Sequence, residues 1–69
     1  MFTLKETVFH PDGETKITEK GFKTKNECLK MLRKYIPVPS LIVYKLSKYH
    51  EVEFMFRDLK RKWELEETK

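Results

Sequence analysis

Pro-Asp-Gly at positions 11–13 separates two Thr-rich runs, FTLKETVF and ETKITEK, each of which partly alternates apolar with polar residues. Alternation at period two suits a half-buried strand, and a Pro-Asp-Gly cluster between two such runs predicts a β-hairpin with strands at about 2–9 and 14–20. Its register has two solutions. A two-residue Asp12-Gly13 turn sets Val8 opposite Ile17, whereas Pro11 opening a type I turn with Gly13 in a bulge shifts the pairing by one residue. Apolar matching favours the first. Leu4, Val8 and Ile17 then face the core, and Thr3, Lys5, Thr7, Phe9, Lys16, Thr18 and Lys20 face solvent. In either register Lys16, Thr18 and Lys20 share one face, because side chains alternate along a strand.

A helix follows. Thr24 and, three residues later, Glu27 match a capping box, in which each side chain satisfies a backbone donor left orphaned at a helix start. Phe22 stands where a hydrophobic staple packs onto the first turns. Cys28, Leu29, Leu32, Tyr35 and Ile36 fall on one side, so the helix spans about 25–35 and Pro37 ends it.

Residues 40–69 carry two conflicting patterns. Apolar residues at 42, 46, 49, 52, 56, 59 and 63 recur at steps of three or four, as in one long amphipathic helix. Against this, EVEFMFR and KWELE alternate, and 41–57 is dense in Ile, Val, Tyr and Phe, which suit a pleated surface better than a helix. Composition favours strands near 41–48, 51–57 and 61–66, with Phe56 opposite Trp63 and Phe54 opposite Leu65. A C-terminal helix from Asp58 is the competing assignment for the last of these. The expected fold is α+β: a single small domain, residues 1–69, with one helix packed on an antiparallel sheet in the order ββαβββ. Its core would contain Leu4, Val8, Ile17, Phe22, Leu29, Leu32, Ile36, Val43, Val52, Phe54, Phe56 and Trp63.

A chain of 69 residues buries a smaller share of its surface than an average domain. Its single cysteine, Cys28, offers no intramolecular disulfide, and the opening MFTLKETVF has no basic segment followed by an apolar one. Both features predict a reducing, cytoplasmic setting. The longest uncharged run, YIPVPSLIVY at 35–44, is too short and proline-rich to span a bilayer, so a soluble protein is expected and no membrane partner.

Neither His10 nor His50 has Cys, Asp or Glu at a metal-site spacing, so no metal is expected. Cys28 lies on the apolar side of the helix, where a free cysteine behaves as a small hydrophobe, although a first-turn position favours a thiolate. No base stands near it in the pattern. Glu51 and Glu53 read as a solvated strand face, and two glycines are too few for a phosphate-cradling loop. No enzyme, cofactor or small-molecule substrate is expected.

Surface charge is more informative. The chain carries 15 basic and 11 acidic residues, and residues 16–34 hold seven of the basic ones against only Glu19 and Glu27. RDLKRK at 57–62 is a second basic knot. Lys16, Thr18 and Lys20, with Lys5 and Thr7 beside them, would form a ribbon that follows phosphates or enters a major groove. Tyr44, Tyr49 and Phe9 are candidate stacking or docking aromatics.

VFHPDGETKITEKGFKTKNECLKML, residues 8–32, resembles the arm-type N-terminal DNA-binding domain of phage and transposon integrases, the AP2-like module. The likeness lies in a strand, an Asp-Gly turn, a Lys/Thr-rich strand, and GFKTK leading into a helix. It implies a sheet face that reads the major groove through Lys16, Thr18 and Lys20. Cys28 stands where that family has a small alanine, residues 40–69 do not look like its helical core-binding domain, and no recombinase catalytic region follows. The resemblance therefore implies a stand-alone binding module.

Two functions are expected from these readings. One is a small basic protein contacting nucleic acid through the outer hairpin face, with Lys5, Lys16, Thr18, Lys20, Lys23, Arg57, Lys60, Arg61 and Lys62 as contacts. The other is a phage or mobile-element protein that binds and modulates a host protein through Phe9, Tyr44 and Tyr49. A homodimer through a strand edge is compatible with either.

Overall fold

The chain folds as β1 (Phe2–Phe9), β2 (Thr15–Phe22), α1 (Lys25–Tyr35), α2 (Ser40–Tyr49), β3 (Glu51–Phe56) and β4 (Leu59–Glu67). The computed structural model describes residues 1–35, 37 and 39–68. The strands form one antiparallel sheet in the order β2-β1-β4-β3, so the first and last strands of the chain pair at its centre. Hydrogen bonds from the Met1 ammonium to Thr68 O (3.0 Å) and from Thr68 N to Met1 O (2.7 Å) close that central ladder. The α+β class therefore stands.

Both helices pack on the same side of the sheet. Leu4, Phe22, Val52, Trp63 and Leu65 from the strands meet Cys28 and Leu32 of α1 and Leu46 of α2 in one buried cluster. Phe54 meets the Trp63 ring edge-on at 4.6 Å between centroids. Among the described residues no element covers the opposite face.

The first hairpin adopts the register that apolar matching disfavours. Val8 pairs with Lys16, and Thr7 with Ile17. His10 N donates to Glu14 O at 2.8 Å, Gly13 N donates to His10 O, and Asp12 Oδ1 accepts from Glu14 N. Gly13 sits at φ 94, a conformation without steric cost only for glycine. This closed Pro-Asp-Gly loop outweighs the gain from matching Val8 with Ile17. A slip of one residue reverses every side chain of β2. Ile17 is 54% exposed on the bare face, and Lys16, Thr18 and Lys20 turn to the side that carries the helices.

The expected strand at 41–48 is instead α2. Ile42, Val43 and Leu46 turn inward at helical spacing, and burying Val43 and Leu46 outweighs the weak strand preference of the β-branched and aromatic residues. At His50 the helical period gives way to the strand period without a loop. His50 takes left-handed φ 63, its N–H bonds Leu46 O to close the helix, and its carbonyl accepts from Leu65 N in the sheet. The second hairpin also differs in register. Arg57 and Asp58, at φ 52 and 65, form a two-residue turn that starts β4 at Leu59 and pairs Val52 with Trp63, Phe54 with Arg61 and Phe56 with Leu59. The expected Phe56–Trp63 and Phe54–Leu65 pairs assumed a longer loop.

Of the expected core, Leu4, Val8, Phe22, Leu32, Val43, Val52 and Trp63 are buried. Leu29, Phe54 and Phe56 are partly so. Ile17 is a correction, and Ile36 lies outside the described residues. Cys28, Leu46 and Leu65 complete the interior.

Candidate functional site

The register of the first hairpin decides what its lysines can do. Lys16, Thr18 and Lys20 pair with Val8, Glu6 and Leu4, on the sheet face that α1 only partly covers. Two adjoining hollows run along this exposed strip. One, of about 300 Å³, lies between Leu4 and Lys20 on the sheet and Met31 and Tyr35 on the helix. The other, of about 270 Å³, continues past Val8, His10 and Lys16 to Leu59 and Arg61. Glu6, Thr18 and Tyr35 border both, so the two form one groove.

Its floor is a polar cluster set in the apolar sheet. Glu6 Oε2 accepts from Trp63 Nε1 at 2.7 Å and from Arg61 Nη1 at 3.3 Å, and both charged side chains are about 15% exposed. The cross-strand register makes this possible, because Glu6 lies directly opposite Trp63 and one pair from Arg61. The buried indole N–H thereby gains a partner. Arg61 Nε is buried with no hydrogen-bond partner among the described residues.

The structure separates the sequence-predicted contacts into several groups. Lys5, Lys60 and Lys62 lie on the bare face, opposite in direction to Lys16, Thr18, Lys20 and Arg61. The single ribbon joining Lys5 and Thr7 to Lys16, Thr18 and Lys20 is therefore not formed. On the bare face the lysines sit among carboxylates. Lys5 lies between Glu19 and Glu64, Lys62 lies between Thr7 and Glu53, and Lys60 pairs with Glu53 at 3.0 Å while resting over the Phe9 ring. Three lysines there face five carboxylates, Glu19, Glu51, Glu53, Glu64 and Glu66. Arg57 is in the second turn, over the Phe56 ring. Lys23 precedes α1, and its backbone N–H donates to Glu27 Oε2, while Glu27 N donates to Thr24 Oγ1. The capping box thus forms with its carboxylate reaching one residue further back than the ideal.

The helical layer has the opposite balance. Residues 16–50 hold nine cations against Glu19 and Glu27, a local net of +7 in a chain whose total is +4. Glu19 pairs with Lys5 on the bare face and also borders the larger hollow, so Glu19 and Glu27 are the two carboxylates these residues set against the nine cations. Lys25 is engaged on the helical side: its ammonium donates to Ser47 O, satisfying a carbonyl in the last turn of α2 and tying the two helices together. Lys30, Arg33 and Lys34 of α1 and Lys45 and Lys48 of α2 are exposed. Lys48 lies 5.8 Å from the Tyr44 ring centroid and 5.4 Å from that of Tyr49, both exposed. Phe9, on the far face, does not join these tyrosines. Sequence reasoning did not select Lys45 and Lys48, because on a strand at 41–48 they would not share a surface with α1.

Cys28 is fully buried, and burial pushes its thiol up to about 11, so it is neutral and inert at ordinary pH. His50 caps a helix and His10 closes a turn. Among the described residues no group of three His, Cys, Asp or Glu is placed to hold a metal ion, and no helix is long and apolar enough to cross a membrane. No family model, curated protein or solved structure matches this chain.

Proposed function

We propose that this protein is a non-enzymatic nucleic-acid-binding module that holds a phosphate backbone against its helical side. The observation carrying this reading is the division of charge between the two layers: an open set of cations over the helices, and lysines interleaved with carboxylates on the bare sheet. A cationic surface with few competing carboxylates concentrates polyanions and releases their counterions on contact. The surface runs from Lys16 and Lys20 over Lys30, Arg33 and Lys34 to Lys45 and Lys48. Relative to the expectation drawn from residues 8–32, the partner class is unchanged and the contact surface moves from the outer hairpin face to the helical side.

Fluorescence anisotropy with labelled duplex and single-stranded oligonucleotides across a salt series tests this. If the five exposed helical cations each neutralise a phosphate, log K falls against log salt with a slope of about −4.5 on duplex. Absence of binding at low salt, or binding indifferent to salt, overturns the reading.

A further inference from the structure

We propose that the groove beside Tyr35 receives one unstacked base of a single-stranded nucleic acid, with Lys16 and Lys20 taking the flanking phosphates. This rests on the nucleic-acid reading above and gives it a strand preference. The first hollow, at about 300 Å³, reaches the lower end of sites that enclose an organic ligand, roughly 300–1,000 Å³, and the second, at about 270 Å³, falls just short of it. Leu4 and Met31 give the groove apolar walls, and Tyr35, 64% exposed on the last turn of α1, borders both hollows with a ring on which a base can stack.

The floor distinguishes a heterocycle from a simple apolar guest. Glu6 accepts both of its hydrogen bonds through Oε2, which leaves Oε1 as an acceptor, and the Arg61 guanidinium, which borders the second hollow, has further N–H donors beyond the Nη1 group that bonds Glu6. An acceptor and a donor on neighbouring groups match the edge of a nucleobase, whereas an acyl chain would leave both unpaired. The rim carries Lys16 and Lys20, with Glu19 beside Lys20, and the two ammonium groups are placed to meet the phosphates on either side of a bound base. A base that is paired and stacked in a duplex cannot enter.

The test compares an unstructured twelve-nucleotide single strand, the same strand made abasic, and its duplex form, by anisotropy at one salt concentration. Base–aromatic stacking contributes roughly 1–3 kcal/mol per base, so the intact strand binds about 5- to 150-fold more tightly than the abasic strand. Tyr35→Ala brings the intact strand down toward the abasic one, and Tyr35→Phe retains the difference. Trp63, the single tryptophan, bonds the Glu6 floor, so its emission changes with the intact strand and not with the abasic one. Equal binding of intact and abasic strands, or preference for duplex, overturns the groove assignment and leaves the broader reading standing. Failure of all three to bind overturns both.

Discussion

The two faces of the sheet are made from the same strands and both carry Lys, Thr and Glu, yet they differ in how charge is arranged. On the bare face, Lys5 sits in a cross-strand row between Glu19 and Glu64, Lys60 and Lys62 sit beside Glu53, and each lysine has a carboxylate nearby. On the helical side the apolar interior is bordered by cations with few carboxylates, and Glu6 and Arg61 neutralise each other in the floor. Net charge alone would assign a weakly basic character to the whole molecule. Topology concentrates it on one side.

The largest expected effects concern which residues the helical side buries. Leu46→Ala, at a fully buried position of α2, should cost about 2–5 kcal/mol in urea unfolding followed by Trp63 fluorescence. Ile17→Ala, on the bare face, should stay within about 0.5 kcal/mol. Reversal of that order would mean that β2 pairs in the other register and that residues 40–49 are not a packed helix.

Carboxylates on the two faces sharpen the contrast at a smaller scale. Glu6→Ala strands the buried Trp63 N–H and the Arg61 guanidinium, and should destabilise the fold by about 1–3 kcal/mol. Glu53→Ala removes an ion pair whose side chains are half exposed, and its effect in the same assay should be about 0–1 kcal/mol. Similar losses at both positions would remove the distinction between a structural floor and a solvated ladder.

A further effect is confined to alkaline pH. With the Cys28 thiol raised from 9.0 to about 11 by burial, the folded chain keeps a proton that the unfolded chain loses. The sign is fixed: the contribution is complete below pH 9 and is lost as pH rises toward 11. Cys28→Ala should therefore flatten the decline in stability above pH 9 relative to the parent chain, as read by urea midpoints. Thiol reagents should modify the native parent slowly.

Much of the architecture was legible in the sequence. Pro11-Asp12-Gly13 announced the first hairpin, Thr24 and Glu27 announced α1, and alternation in EVEFMF and KWELE announced β3 and β4. The start of β3 at 51 was legible, but the element before it was not, because the helical period of 40–49 abuts a strand period with no Gly or Pro between them. The chain turns there on His50 in a left-handed conformation, which a non-glycine sequence does not advertise. The same applies to Arg57-Asp58, whose tight turn fixes a register that composition leaves open. For the site, residue types were readable but facing was not. One residue of slip in β2 exchanges Ile17 for Lys16, Thr18 and Lys20, and the misread helix hid Lys45 and Lys48.

The central claim is that the helical side, and not the bare sheet, is the polyanion surface. Two triple charge reversals measured by anisotropy against one labelled oligonucleotide at low salt test it directly: Lys30→Glu, Arg33→Glu and Lys34→Glu on α1, and Lys5→Glu, Lys60→Glu and Lys62→Glu on the sheet. The account predicts loss of binding by about 100-fold or more for the first set and a change of only a fewfold for the second. Equal losses, or a larger loss from the sheet set, would contradict it.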